Sequence, residues 1–79
     1  MGKKKVIKQK FDADLFGKAV KTHRCITVDV SLSSAEKETG VTISTLSRIE
    51  NGRAGSCDIT TLISLCSWMN VSICDFIVH

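Results

Sequence analysis

Residues 31–53, SLSSAEKETGVTISTLSRIENGR, read as two short helices on either side of a tight turn. Ser31 offers the hydroxyl acceptor an N-cap needs, and Leu32 to Thr39 follow as a helix that Gly40 stops. Val41 falls in the turn, Thr42 caps the next helix, and Asn51-Gly52 ends it. In that next helix Leu46 and Ile49 sit three apart and face a core, which leaves Ile43, Ser44, Ser47 and Arg48 on the other side. A face built only for solubility carries more charge and less hydroxyl than this. What the small polar residues around a single arginine serve, a partner or only a neutral surface, is the question this stretch raises.

The same punctuation runs outward in both directions. Upstream, Asp12 or Asp14 can cap a first helix in which Leu15, Phe16, Ala19, Val20 and His23 recur at spacings of three and four. TVDV (27–30) reads as an ordered connector. Downstream, RAGSC (53–57) reads as a loop, and Asp58 caps a fourth helix from Ile59 to Met69, closed by Asn70. Ser72 caps a last short helix containing Ile73, Phe76 and Ile77. There is no proline and no sustained alternation of a strand, so the expected fold is all-α, five short helices around one core. At 79 residues the chain allows one domain, and its 43% apolar content is enough to fold it.

Charge divides the chain in two. Residues 1–10 hold five lysines (Lys3, Lys4, Lys5, Lys8, Lys10) and no acid, whereas residues 11–79 hold six basic and eight acidic side chains, a net of −2. The expected organisation is a basic N-terminal arm, 1–10, on a mildly acidic folded body, 11–79. Such an arm is a solvated tail or a nucleic-acid-binding element. Cys25, Cys57, Cys66 and Cys74 show no C-x-x-C spacing, and His23 and His79 lie far apart in the chain, which disfavours a metal site. No apolar run after the first lysines is long enough for a signal peptide or a membrane span, and MGKKKV lacks the hydroxyl of a myristoylation pattern. The cysteines then read as small core hydrophobes of a cytoplasmic protein. Nothing suggests an enzyme, a cofactor or a small-molecule substrate: there is no nucleophile with a paired histidine and no Gly-rich phosphate loop.

Two short helices joined by a Gly-Val turn form a helix-turn-helix unit, and here the similarity goes further. Residues 31–53 resemble the Cro/repressor-type (Xre-like) DNA-binding domains, with S-T-L-S-R-I-E-N-G as the specific part. DITTLISLCSWMNVSICDFI (58–77) resembles the two helices that follow in that family, and FGKAVKTHR (16–24) its first helix, so the likeness runs from about residue 14 to 78. The resemblance implies a compact, lambda-repressor-like five-helix bundle whose second and third helices form the helix-turn-helix. It implies that the third helix enters the major groove. Ile43, Ser44, Ser47 and Arg48 then read bases, Ile43 against a thymine methyl and Arg48 on guanine O6 and N7. Thr45, Asn51 and Arg53, with Lys3, Lys4 and Lys5 of the arm, then contact phosphates. Glu50 is expected to pair with Arg24 as a structural ion pair.

Several positions depart from the family pattern. Ala35-Glu36 stand where Leu-Ala is usual, so Glu36 would crowd the turn unless the spacing slips by one residue and Ala35 takes the small position, or Glu36 tilts outward over the turn. Leu32 replaces a polar residue. His23 stands where leucine is more frequent and is read as a partly buried, hydrogen-bonded histidine. The first connection is one residue longer than usual. The expected function is a sequence-specific regulator of double-stranded DNA, a small phage or mobile-element type of repressor acting as a homodimer, with Phe76-Ile77-Val78 as a candidate dimer surface. The alternative is a protein-interaction module, an antitoxin or adaptor on the same fold, favoured by the acidic body and by only Arg48 and Arg53 lying near the third-helix face. An RNA-binding reading is disfavoured by the lack of stacking aromatics on a basic surface.

Overall fold

The computed structural model describes residues 10–78. Four α-helices carry the fold: α1 (Ala13–Thr22), α2 (Leu32–Thr39), α3 (Ile43–Glu50) and α4 (Ile59–Met69). A two-residue strand at each end, β1 (Lys10–Phe11) and β2 (Ile77–Val78), joins them. Each helix starts on a side-chain acceptor that satisfies one of its orphan N–H groups. Asp12 accepts from Leu15, Ser31 from Ser34, Thr42 from Thr45 and Asp58 from Thr61. Gly40 and Asn70 close α2 and α4 in the left-handed region, at φ 79° and 58°.

The expected fifth helix is a correction. Residues Ile73–Phe76 make one 3-10 turn, with a capping box between Ser72 and Asp75, and the chain then turns extended. A turn of four residues cannot build an α-type ladder, and the next residues are taken by a pairing that no sequence periodicity announced. β2 runs antiparallel to β1, with Phe11 opposite Ile77 and Lys10 opposite Val78, and the Asp12 N–H donates to the Phe76 carbonyl at 2.7 Å. Lys10, counted with the arm on charge, is thus part of the folded body. Phe76 is buried against Phe16, ring edge to ring face with centroids 4.9 Å apart, and Phe11 packs on Phe16 at 5.3 Å. Phe76 is therefore core and gives no dimer surface.

Phe16, Val20, Leu46, Ile49 and Leu65 are the largest wholly buried side chains. Between α1 and α2 the helix widens into a π-turn, His23–Thr27, whose closing bond runs from the Val28 N–H to the His23 carbonyl at 2.9 Å. A turn bonded i to i+5 holds one residue more than an α-turn, so it absorbs the extra length read in this connection. Residues 53–57 are also more ordered than a loop: Ala54–Ser56 form a 3-10 turn, and Ala54 is wholly buried.

Candidate nucleic-acid interface

The placement of α3 begins with a residue outside it. Gly17 of α1 lies against the end of α3, and a Cβ there would run into the backbone carbonyl of Ile49. Only glycine allows α1 and α3 to cross this closely. Leu46 and Ile49 fill the core beneath the crossing. Arg24, on the π-turn, then ties down the C-terminal end of α3. Its Nε donates to Glu50 Oε2 at 2.6 Å, its Nη2 to Oε1 at 2.9 Å, and its Nη1 to the Val30 carbonyl at 3.2 Å. This is a two-point arginine–carboxylate fork with planar geometry matched on both sides. The side chains are only 14% and 8% exposed, so little water competes for them. The bonds to Glu50 push the Arg24 guanidinium still further above its ordinary range.

With its back fixed, α3 turns a polar face outward. Ile43, Ser44 and Arg48 are exposed there, and Ser47 is half-buried beside them. Arg48 makes no ion pair among the described residues, so its five donors remain open. Thr45 is half-buried and tied into the cap: its N–H donates to Thr42 Oγ1 at 3.3 Å and its Oγ1 accepts from the Thr42 hydroxyl at 3.0 Å. Its own hydroxyl proton stays available. Asn51 is exposed at the helix exit, but its Nδ2 donates to the Ser47 carbonyl at 2.8 Å, which leaves one amide proton for a partner. Arg53 is exposed, and its backbone N–H closes on the Arg48 carbonyl at 3.0 Å. The structure thus gathers Ile43, Ser44, Ser47, Arg48, Asn51 and Arg53 along one helix and its exit. Lys3, Lys4 and Lys5 lie outside the described residues.

Asp14, in sequence only an alternative to Asp12 as the cap of α1, belongs to this neighbourhood as well; the cap is Asp12. Gly52 has φ 85°, and a side chain there would meet the Asp14 carboxylate. A negative charge therefore stands beside the exit where Asn51 and Arg53 are presented. The chain spacing gives no hint of it, because Asp14 is 38 residues upstream.

Other departures resolve on the same geometry. Ala35 is wholly buried and Glu36 is half-buried, so the small side chain packed in the core from α2 is Ala35. Leu32 packs against the core. His23 is half-buried edge-on to Trp68, with centroids 4.7 Å apart, but its buried Nε2 has no hydrogen-bond partner, contrary to the expectation of a satisfied ring. The cysteines divide: Cys66 is buried, with its thiol pushed up by burial, Cys57 is half-buried, and Cys25 and Cys74 are exposed and are not core residues. Among the described residues no three metal-ligating side chains cluster, and no helix is long and apolar enough to cross a membrane.

No curated protein matches the sequence. Among solved structures the chain is similar to hydroxypropylphosphonic acid epoxidase from S. wedmorenis, determined in complex with fosfomycin, with a TM-score of 0.66 and 24% identity. The likeness covers 85% of this chain and only 35% of that one, so it speaks to the fold alone. The family model for the Cro/C1-type HTH DNA-binding domain matches residues 23–79. The match holds Arg24, Glu50 and both helices of the turn, and it starts immediately after α1. On that match over most of its length, the chain belongs to the Cro/C1-type HTH DNA-binding domain family.

Proposed function

We propose that this chain is a sequence-specific regulator of double-stranded DNA, a small repressor of the phage or mobile-element type, and a binding protein with no enzymatic role. The observation that carries the reading is α3 itself: Arg48, Ser44 and Ser47 stand on one face of a helix whose opposite face is locked by Gly17 and the Arg24–Glu50 fork. In a lambda-repressor-like arrangement that face lies in the major groove, where Arg48 grips a guanine and the serines hydrogen-bond neighbouring base edges. One such helix reads few bases, so two copies on adjacent half-sites supply the specificity. The body is net −2 over residues 11–79, and the lysines of the arm supply most of the attraction to phosphate.

The test is Arg48→Ala on selected and on random DNA. The expected loss is about 1–3 kcal/mol on the selected site and less on random sequence. An equal loss on both would make Arg48 a phosphate contact, and no loss would remove it from the interface. Deleting residues 1–9 in the same assay should flatten the salt dependence by about 2 logarithmic units per logarithmic unit of salt, with base preference retained.

A further inference from the structure

The face of α1 turned away from α3 is apolar, uncovered and edged with lysine. At 100° per residue, Leu15, Lys18, Ala19 and Thr22 share one side of the helix, roughly opposite Gly17. Leu15 is 44% exposed and Val71, from the segment after α4, is 39% exposed; together with Ala19, His23 and Met69 they line a shallow groove of about 400 Å³. Lys18 and Thr22 also line a neighbouring hollow of about 250 Å³ with Lys21, Cys25 and Ile26, so the two are continuous over the α1 ridge. Ile26 is 75% exposed at its far end. A π-turn puts it there, and such turns recur at functional sites.

We infer that this face docks an amphipathic helix from a partner protein whose apolar stripe is flanked by acidic residues. Charge complementarity chooses the occupant. No acidic residue lines either hollow, and Lys18 and Lys21 are exposed and make no ion pair among the described residues. In a body whose net charge is negative, that is a local excess of positive charge. A phosphate backbone would answer the lysines but leave Leu15, Ile26 and Val71 against water. An apolar stripe with acidic flanks answers both sets, and a helix laid in a groove is a standard way to present them. The surface lies behind α1 and α3 in front of it, so a partner here and DNA on α3 do not compete for space. The inference does not depend on the DNA reading.

The probe is a synthetic helical peptide of about 18 residues, long enough to hold its fold in part, with leucines at i, i+3, i+4 and i+7 and glutamates on both flanks. A second peptide carries lysines in place of the glutamates. Trp68 is the chain's one tryptophan and meets the groove-lining His23 edge-on, with centroids 4.7 Å apart, so its emission reports binding. The full-length protein should bind the acidic peptide saturably, about tenfold tighter than the lysine peptide. Amide shifts should fall on residues 15–26 and 69–71 and spare α3. Ile26→Glu and Lys18→Glu should each weaken the acidic peptide by about fivefold or more, and Lys18→Glu should improve the lysine peptide. Equal binding of both peptides, no saturation up to about 1 mM, or shifts centred on α3 would overturn the inference. So would anionic phospholipid vesicles that bind this face while the peptide does not. A self-association that Ile26→Glu abolishes and the peptide does not displace would overturn it in favour of a second copy.

Discussion

Helices α3 and α4 begin alike: Thr42 and Asp58 each accept a hydrogen bond from the backbone N–H three residues on, at 3.3 and 3.1 Å. Beyond the cap they diverge. α4 is anchored by its own apolar side chains, with Leu62, Leu65, Cys66 and Met69 all buried. α3 buries only Leu46 and Ile49, and the rest of its placement comes from outside it, through Gly17 and the Arg24–Glu50 fork. A helix that must keep one face free for a partner cannot be held all round by burial. Directional contacts at one end and a close backbone crossing take that place. α4 is under no such demand: its outer face carries Ile59, Thr60, Ile63 and Ser67 exposed, with no charged side chain among them.

The largest effects should separate the two modes of anchoring. Leu65→Ala empties the wholly buried centre of α4 and should cost about 2–5 kcal/mol. The fraction that remains folded should bind DNA with unchanged base preference. Gly17→Ala gains about 1 kcal/mol of helix propensity, set against an overpacking cost of about 1–3 kcal/mol or more. Yet the added methyl meets the Ile49 carbonyl, which is backbone and can yield only if α3 moves. Thermal melting paired with binding assays on selected and random DNA checks both. If Gly17→Ala kept full discrimination, α3 would not depend on the crossing for its position.

A double-mutant cycle on Arg24 and Glu50 comes next. Removing either partner strands a largely enclosed charge, so Arg24→Ala and Glu50→Ala should each lower the melting temperature, with a stability cost approaching the about 3–5 kcal/mol of a buried pair. The double variant should lose about 0.5–3 kcal/mol less than the sum. Additive losses would mean that the fork contributes nothing to holding α3, and the contrast with α4 would fail there.

What the sequence made legible follows from the range of each interaction. The caps at Ser31, Thr42, Asp58 and Ser72, and the stops at Gly40 and Asn70, involve neighbours within a few residues, and their chemistry can be read from residue type. Leu46 and Ile49 announce themselves by spacing. Gly17 does not, since a glycine in mid-helix acquires meaning only from the Ile49 carbonyl, 32 residues later. The pairing of β1 with β2, two residues each, joins opposite ends of the chain and leaves no periodic trace. For the same reason Asp14 beside Gly52, the burial of Ala54 and the exposure of Cys25 and Cys74 had no local signal. The Arg24–Glu50 pairing is legible only through the family resemblance, because nothing in a 26-residue separation suggests it.

The smallest effect concerns the two matched caps. Hydrogen bonds from Thr61, its hydroxyl first and then its backbone N–H, hold the Asp58 carboxyl below the ordinary carboxylate range. Thr42 does the same work on α3 with a group that does not titrate. A carboxyl whose pKa is lowered on folding stabilises the protein above its unfolded pKa, about 3.9 for aspartate. That contribution is lost as pH falls through the lower, folded value. Between pH 6 and about pH 3 the melting temperature of the wild type should therefore drop toward that of Asp58→Asn, which keeps a capping oxygen without the charge. The gap between the wild type and Thr42→Ala should stay constant over the same range, because the other carboxylates titrate in both proteins. Melting curves across that range decide it: a constant gap for Asp58→Asn would mean that the charge adds nothing to the cap, and that α3 and α4 start on equivalent footing after all.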